Sequence, residues 1–110
     1  GDIPLGAHFH NTRGTGLASA YAAVSSGVTR LDASVGGLGG CPFAPGASGN
    51  TVTEDLVFML QSMGYDTGID LAALIASRQV LRDALPDEAL YGRIARAGLP
   101  LNYTPAASRA

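Results

Sequence analysis

No lysine and no tryptophan occur among the 110 residues, and cysteine occurs once. The seven basic side chains are therefore all arginine, set against nine acidic ones, for a net charge of −2 at pH 7. A chain so balanced offers no basic face, so neither nucleic acid nor an anionic membrane is expected as a partner. A single thiol cannot close an internal disulfide, which points to a reducing cell interior. The all-arginine basic set, with abundant alanine and glycine, is typical of a GC-rich genome, so a bacterial cytoplasm is the expected setting. Charged residues are scarce at 15%, yet hydrophobic residues reach 46% and the mean hydropathy is +0.19, which excludes a disordered chain. No apolar run approaches the roughly 18 residues of a membrane helix, and no charged-then-apolar leader opens the sequence. The first residue is Gly1 where an initiator methionine would stand, so a preceding segment is expected.

What is present reads as alternating elements. "IPLGAHFH" (3–10) is a short apolar run consistent with a buried strand. "TGLASAYAAVSSG" is alanine-rich, with apolar residues three and four apart, and predicts a helix stopped by Gly27. "VTRLDASV" predicts a second strand, packed through Val28, Leu31 and Val35. Strand, helix and strand in so few residues make a βαβ unit with parallel strands. Beyond a glycine-rich loop, "TVTEDLVFMLQSMG" predicts a helix capped by Thr53, with Leu56, Val57, Leu60 and Met63 on its buried face. Glu54 and Asp55 fall in its first turn, where the helix dipole favours acids. "DLAALIASRQVLRDAL" predicts a third helix, from a cap at Asp70 to Pro86, followed by a weak helix and a small-residue tail.

Three places carry chemistry. In "HFH", strand alternation projects His8 and His10 to one face, where two imidazoles can share a divalent metal or sit as two satisfied histidines at a strand end. "HNTRGTGLAS" also carries the first two glycines of a dinucleotide fingerprint, with Asp32 where a ribose-binding acid would stand. Ser19 replaces the third glycine, and the loop is too long for a tight turn. "GGLGGCPFAPGASGN" (36–50) sets Cys41 among glycines and prolines, away from the large apolar side chains that a structural cysteine seeks. There the thiol is either a reactive group in a closing loop or a small residue in a surface turn. Asn50 ends the loop as a metal ligand or as part of an Asx turn.

Together, "HFHNTRGTGLA", "DASVGGLGGCPFAPGASGN" and "TEDLVFML" resemble the hydroxymethylglutaryl-CoA lyase family of metal-dependent TIM-barrel lyases and aldolases, over about Gly6 to Leu74. The resemblance implies an α/β fold and cleavage of 3-hydroxy-3-methylglutaryl-CoA to acetyl-CoA and acetoacetate. It implies His8, His10 and Asn50 as ligands of Mg²⁺ or Mn²⁺, and Cys41 and His8 as catalytic. Glu54 becomes an acid near the site that orients other groups. Gly39, Gly40 and Pro42 become part of a loop that folds over an acyl-CoA. A homo-oligomer is also implied.

One part of the family pattern is absent: the strand that opens the barrel with an arginine and a metal-binding aspartate. A TIM barrel takes about 250 residues, so the expectation is the C-terminal part, about the last three βα units, plus closing helices. On that reading residues 1–85 carry the barrel units, and residues 86–110 a C-terminal helix and flexible tail. The partner is then the missing N-terminal part of the barrel. The alternatives are a lyase of the same family acting on another 3-hydroxyacyl-CoA, and an inactive barrel fragment or assembly module.

Overall fold

The computed structural model describes residues 3–40 and 49–105. Gly6–His8 (β1) and Arg30–Asp32 (β2) pair in parallel, with Gly6 opposite Arg30, Ala7 opposite Leu31 and His8 opposite Asp32. Parallel neighbours need a crossover connection, and Gly16–Ser25 (α1) supplies it. Ala20, 1% exposed, is its most deeply buried side chain, and Gly27 follows with φ 101°, a left-handed geometry that glycine takes without strain. The βαβ unit expected from the sequence is therefore present.

The first strand is shorter and more open than the sequence suggests. Ile3 and Leu5 stand 81% and 64% exposed, because β1 has β2 as its one neighbour among the described residues. An apolar run reads as buried by composition, but burial requires a second sheet edge or a covering layer. Val28, Leu31 and Val35 are half-buried.

Thr53–Ser62 (α2) is the central helix, packed against α1, against Leu71–Ala84 (α3) and against Arg93–Ala97 (α4). Leu56 and Val57 are buried, with Val52, Leu71 and Ile94 around them. Two expectations fail here. The residue preceding the helix is Val52, held extended by a parallel bridge to Ser34, so Thr53 is already helical and caps nothing. Met63 is 37% exposed and Gln61 takes the inward place, its Nε2 donating to Ile69 O at 2.9 Å and to Thr67 Oγ1 at 3.0 Å. A glutamine that can satisfy two acceptors costs little to bury.

The start of α3 follows expectation: Asp70 Oδ1 accepts from Ala73 N at 3.1 Å. The short α4 is held by Asp55, whose carboxylate accepts from Arg93 N and Ile94 N at 2.9–3.1 Å. Asp55 thus serves another helix's N-terminus as well as its own. Among the described residues, no helix is long and apolar enough to cross a membrane.

Candidate active site

The site grows from the C-terminal end of β1. The register sets His8 opposite Asp32, and His8 Nδ1 contacts Asp32 Oδ1 directly. His10 lies two residues on, and strand alternation brings the two rings together, centroids 5.1 Å apart and planes at 80°. The chain that returns from the glycine-rich loop closes beside them. His10 and Asn50 form an antiparallel bridge, supported by Thr51 N donating to Phe9 O and Asn11 N to Gly49 O, each at 3.2 Å. Thr51 Oγ1 adds a bond to Phe9 O at 3.0 Å. On its other side, this segment receives Ser34 N on Thr51 O at 3.1 Å. Asn50 is thereby fixed between the ends of both strands.

Its amide is used unevenly. Asn50 Nδ2 donates to Leu38 O at 2.7 Å and Gly39 O at 3.2 Å, while Asn50 Oδ1 is buried with no hydrogen-bond partner among the described residues. A buried, unmatched oxygen is costly unless something meets it. Two imidazoles and an amide oxygen are donors suited to a hexacoordinate divalent ion. They form an incomplete shell: among the described residues, no three His, Cys, Asp or Glu side chains gather into a metal cluster. The residues present fit such an ion, with further oxygens needed from elsewhere. A cleft of ≈ 710 Å³ adjoins Asn50, walled by Gly37 and Tyr91 and reaching Arg93 and Arg96.

Beneath this cleft sits Glu54, fully buried. Its two oxygens accept from Gly36 N at 3.2 and 3.1 Å, and Glu54 Oε2 contacts Arg78 Nη1 directly. The same Nη1 donates to Tyr91 O at 2.7 Å, and Tyr91 N returns a bond to Gly36 O at 2.7 Å. One ion pair therefore ties α2, α3, the C-terminal segment and the first turn of the glycine-rich loop together. Gly36 has φ +66°, and a Cβ there would lie 2.8 Å from Leu90 Cδ2, so the turn depends on glycine.

The structure brings together His8, His10 and Asn50, and sets Glu54 under the loop's stem. Gly39 and Gly40 are exposed on that stem. Cys41 and Pro42 lie outside the described residues.

A family model described as HMGL-like matches residues 1–81. The chain belongs to the HMGL-like family. Its α/β fold matches solved hydroxymethylglutaryl-CoA lyases. With one from Acenitobacter baumannii, in complex with coenzyme A and 3-methylmalate, it superposes at a TM-score of 0.80 and 51% identity over 92% of this chain. With one from Pseudomonas aeruginosa the TM-score is 0.75, at 41% identity over 84% of this chain. In sequence it is 50% identical to the (R)-citramalyl-CoA lyase of Chloroflexus aurantiacus over 94 residues, 84% of this chain. It is 54% identical to the hydroxymethylglutaryl-CoA lyase of Pseudomonas mevalonii over 70 residues, 64% of this chain. The chain spans 30% and 23% of the lengths of those two relatives, and 33% and 31% of the two structures.

Two residues of this neighbourhood escape a reading of the sequence. Asp32 reads there as a nucleotide-type acid, whereas the parallel register spends it on His8. Arg78 carries a usable signal: Leu71, Leu74, Ile75, Arg78 and Leu81 lie on one face at helical spacing, so the arginine falls in an apolar stripe. A charge at such a position calls for a buried partner of opposite sign.

Proposed function

We propose that this chain is the part of a metal-dependent carbon–carbon lyase that supplies three metal-binding side chains and the loop cysteine. The reaction is cleavage of 3-hydroxy-3-methylglutaryl-CoA to acetyl-CoA and acetoacetate. The observation that carries the reading is the buried, unmatched Oδ1 of Asn50, a residue bridged through its backbone to His10, whose ring stands against that of His8. The portion supplied is about the last three βα units of a TIM barrel, residues 1–85, with residues 86–110 closing it. The remaining barrel, with its arginine and aspartate, comes from the polypeptide upstream, and assembly is as a homo-oligomer.

His8, His10 and Asn50 would hold Mg²⁺ or Mn²⁺, which supplies Lewis-acid stabilisation of the substrate's oxygens when bound. His8 assists removal of the proton from the tertiary hydroxyl. The electron pair of that O–H bond becomes the new carbonyl of acetoacetate as the carbon–carbon bond breaks. The pair from the broken bond stays on the acetyl-CoA carbon as an enolate, and the Cys41 thiol delivers the proton that completes acetyl-CoA. Glu54 orients the stem of the loop through Gly36 N. Glycine-rich backbone at 36–40 lets the chain pass close to a thioester without side-chain interference.

A second reading keeps the chemistry and changes the acyl group. It is favoured by the 50% identity to a citramalyl-CoA lyase over 84% of this chain. Both are tested by one assay: the complete gene product containing this sequence, and this chain alone, are given hydroxymethylglutaryl-CoA or citramalyl-CoA with and without Mn²⁺. Metal-dependent release of acetyl-CoA by the complete product is expected, with the faster substrate identifying the acyl group. Cleavage of neither substrate at any Mn²⁺ concentration would refute both readings.

A further inference from the structure

Where β1 and β2 end, a carboxylate faces an imidazole across a parallel register, and neither belongs to a helix or a turn that needs it. His8 Nδ1 and Asp32 Oδ1 touch, with the two side chains 49% and 74% exposed. Exposed ion pairs contribute about 0–1 kcal/mol to stability, so the contact is a weak fold-holding device. Its geometry does something else. A carboxylate on Nδ1 accepts that nitrogen's proton, which leaves the Nε2 lone pair available. The other neighbour of the ring is His10, set edge-on at 80°. An imidazole free to turn about χ2 presents either nitrogen, and a directed bond to one of them removes that choice.

We propose that Asp32 is a positioning residue: it holds His8 as the Nδ1–H tautomer and makes Nε2 the single working nitrogen of that ring. The inference rests on the ligand reading of His8 given above, and deepens it. With Nδ1 committed, metal binding falls to Nε2, and the help His8 gives to proton removal is exerted from that metal-held position rather than as a free base. The backbone enforces the arrangement, since a one-residue slip of β1 against β2 would turn either His8 or Asp32 to the opposite face.

The test uses the complete gene product containing this sequence, free of metal and labelled with ¹⁵N-histidine, in which long-range ¹H–¹⁵N spectra report the tautomer of His8. Mn²⁺ alone is then titrated and followed by electron paramagnetic resonance. In the parent protein, His8 is expected as the Nδ1–H form. In Asp32→Ala the Nε2–H form should appear, and the Kd for Mn²⁺ should rise about 10–100-fold, the usual cost of losing a carboxylate behind a metal-binding histidine. Asp32→Glu should restore most of that affinity. Asp32 is exposed at a strand end, so Asp32→Ala should keep the parent's far-ultraviolet spectrum. An Nε2–H tautomer in the parent, or Mn²⁺ affinity in Asp32→Ala within twofold of the parent, overturns the proposal. If the parent binds no Mn²⁺, the ligand reading fails on its own account. The tautomer then decides the hold on His8: unchanged in Asp32→Ala, it overturns it.

Discussion

Replacing Arg78 by methionine isolates the work of the buried ion pair. Methionine fills much of the volume of the arginine stem but leaves the Glu54 carboxyl at zero exposure without its cationic partner, with Gly36 N as its remaining donor. Removing one partner of a buried pair costs about 3–5 kcal/mol, and the stranded carbonyl of Tyr91 adds about 1 kcal/mol. Against a total stability of about 5–15 kcal/mol, that is enough to change how the protein is handled. With a urea dependence of about 2 kcal/mol per molar, the denaturation midpoint should fall by roughly 2–3 M. The second arm is Glu54→Gln in the Arg78→Met background. An uncharged amide can still accept from Gly36 N, so the double variant should recover more than half of the loss. The recovery has a structural precedent within the pair itself, because Arg78 Nε is buried without a partner among the described residues. A pair with one donor unmatched carries part of its desolvation cost uncompensated. The reasoning is refuted if Arg78→Met shifts stability by less than about 1 kcal/mol. It is equally refuted if the double variant is no more stable than Arg78→Met, since neutralising the stranded carboxyl would then relieve nothing.

Two further outcomes follow from other sites. A Cβ on Gly49 would lie 1.9 Å from the carbonyl oxygen of Gly37, a backbone atom that cannot swing aside. Gly49→Ala should therefore destabilise by about 2–3 kcal/mol, in the range of overpacking, and weaken Mn²⁺ binding at the neighbouring Asn50; chemical denaturation of Gly49→Ala at parental stability would contradict the close approach. Cys41→Ser should cut acyl-CoA cleavage by at least a hundredfold, within the range of general acid contributions, with Mn²⁺ affinity unchanged. Turnover within threefold of the parent would remove the thiol from the reaction.

The legible parts of this chain are those encoded by neighbours in sequence. Helix α3 declares its cap at Asp70 and its stripe from Leu71 to Leu81, and the pairing of His8 with His10 needs only strand alternation. What stays hidden depends on partners distant in the chain. Thr53 looks like a cap until Val52 is seen pairing with Ser34, 18 residues earlier. Ile3 and Leu5 look buried because composition records what a side chain prefers, not whether the described residues include a layer that covers it. Asp32 is the instructive case: its position at a strand end is readable, but its partner follows only from the register. The resemblance to known lyases carried the assignment of His8, His10 and Asn50, and their proximity in space is what the folded chain adds.

The amide of Asn50 has a further meaning for the choice of side chain. A carboxylate would be the stronger ligand for a hard divalent ion, and aspartate differs from asparagine by one atom. Yet aspartate has nothing to donate, and at this position it would aim a negative oxygen at the carbonyls of Leu38 and Gly39. Asparagine is the residue that can face an ion with one end and two main-chain oxygens with the other. The same planar group couples its two ends: any rotation that re-aims Oδ1 also moves Nδ2 against the carbonyls of Leu38 and Gly39, and any shift of the loop's stem re-aims the oxygen that we propose as a ligand.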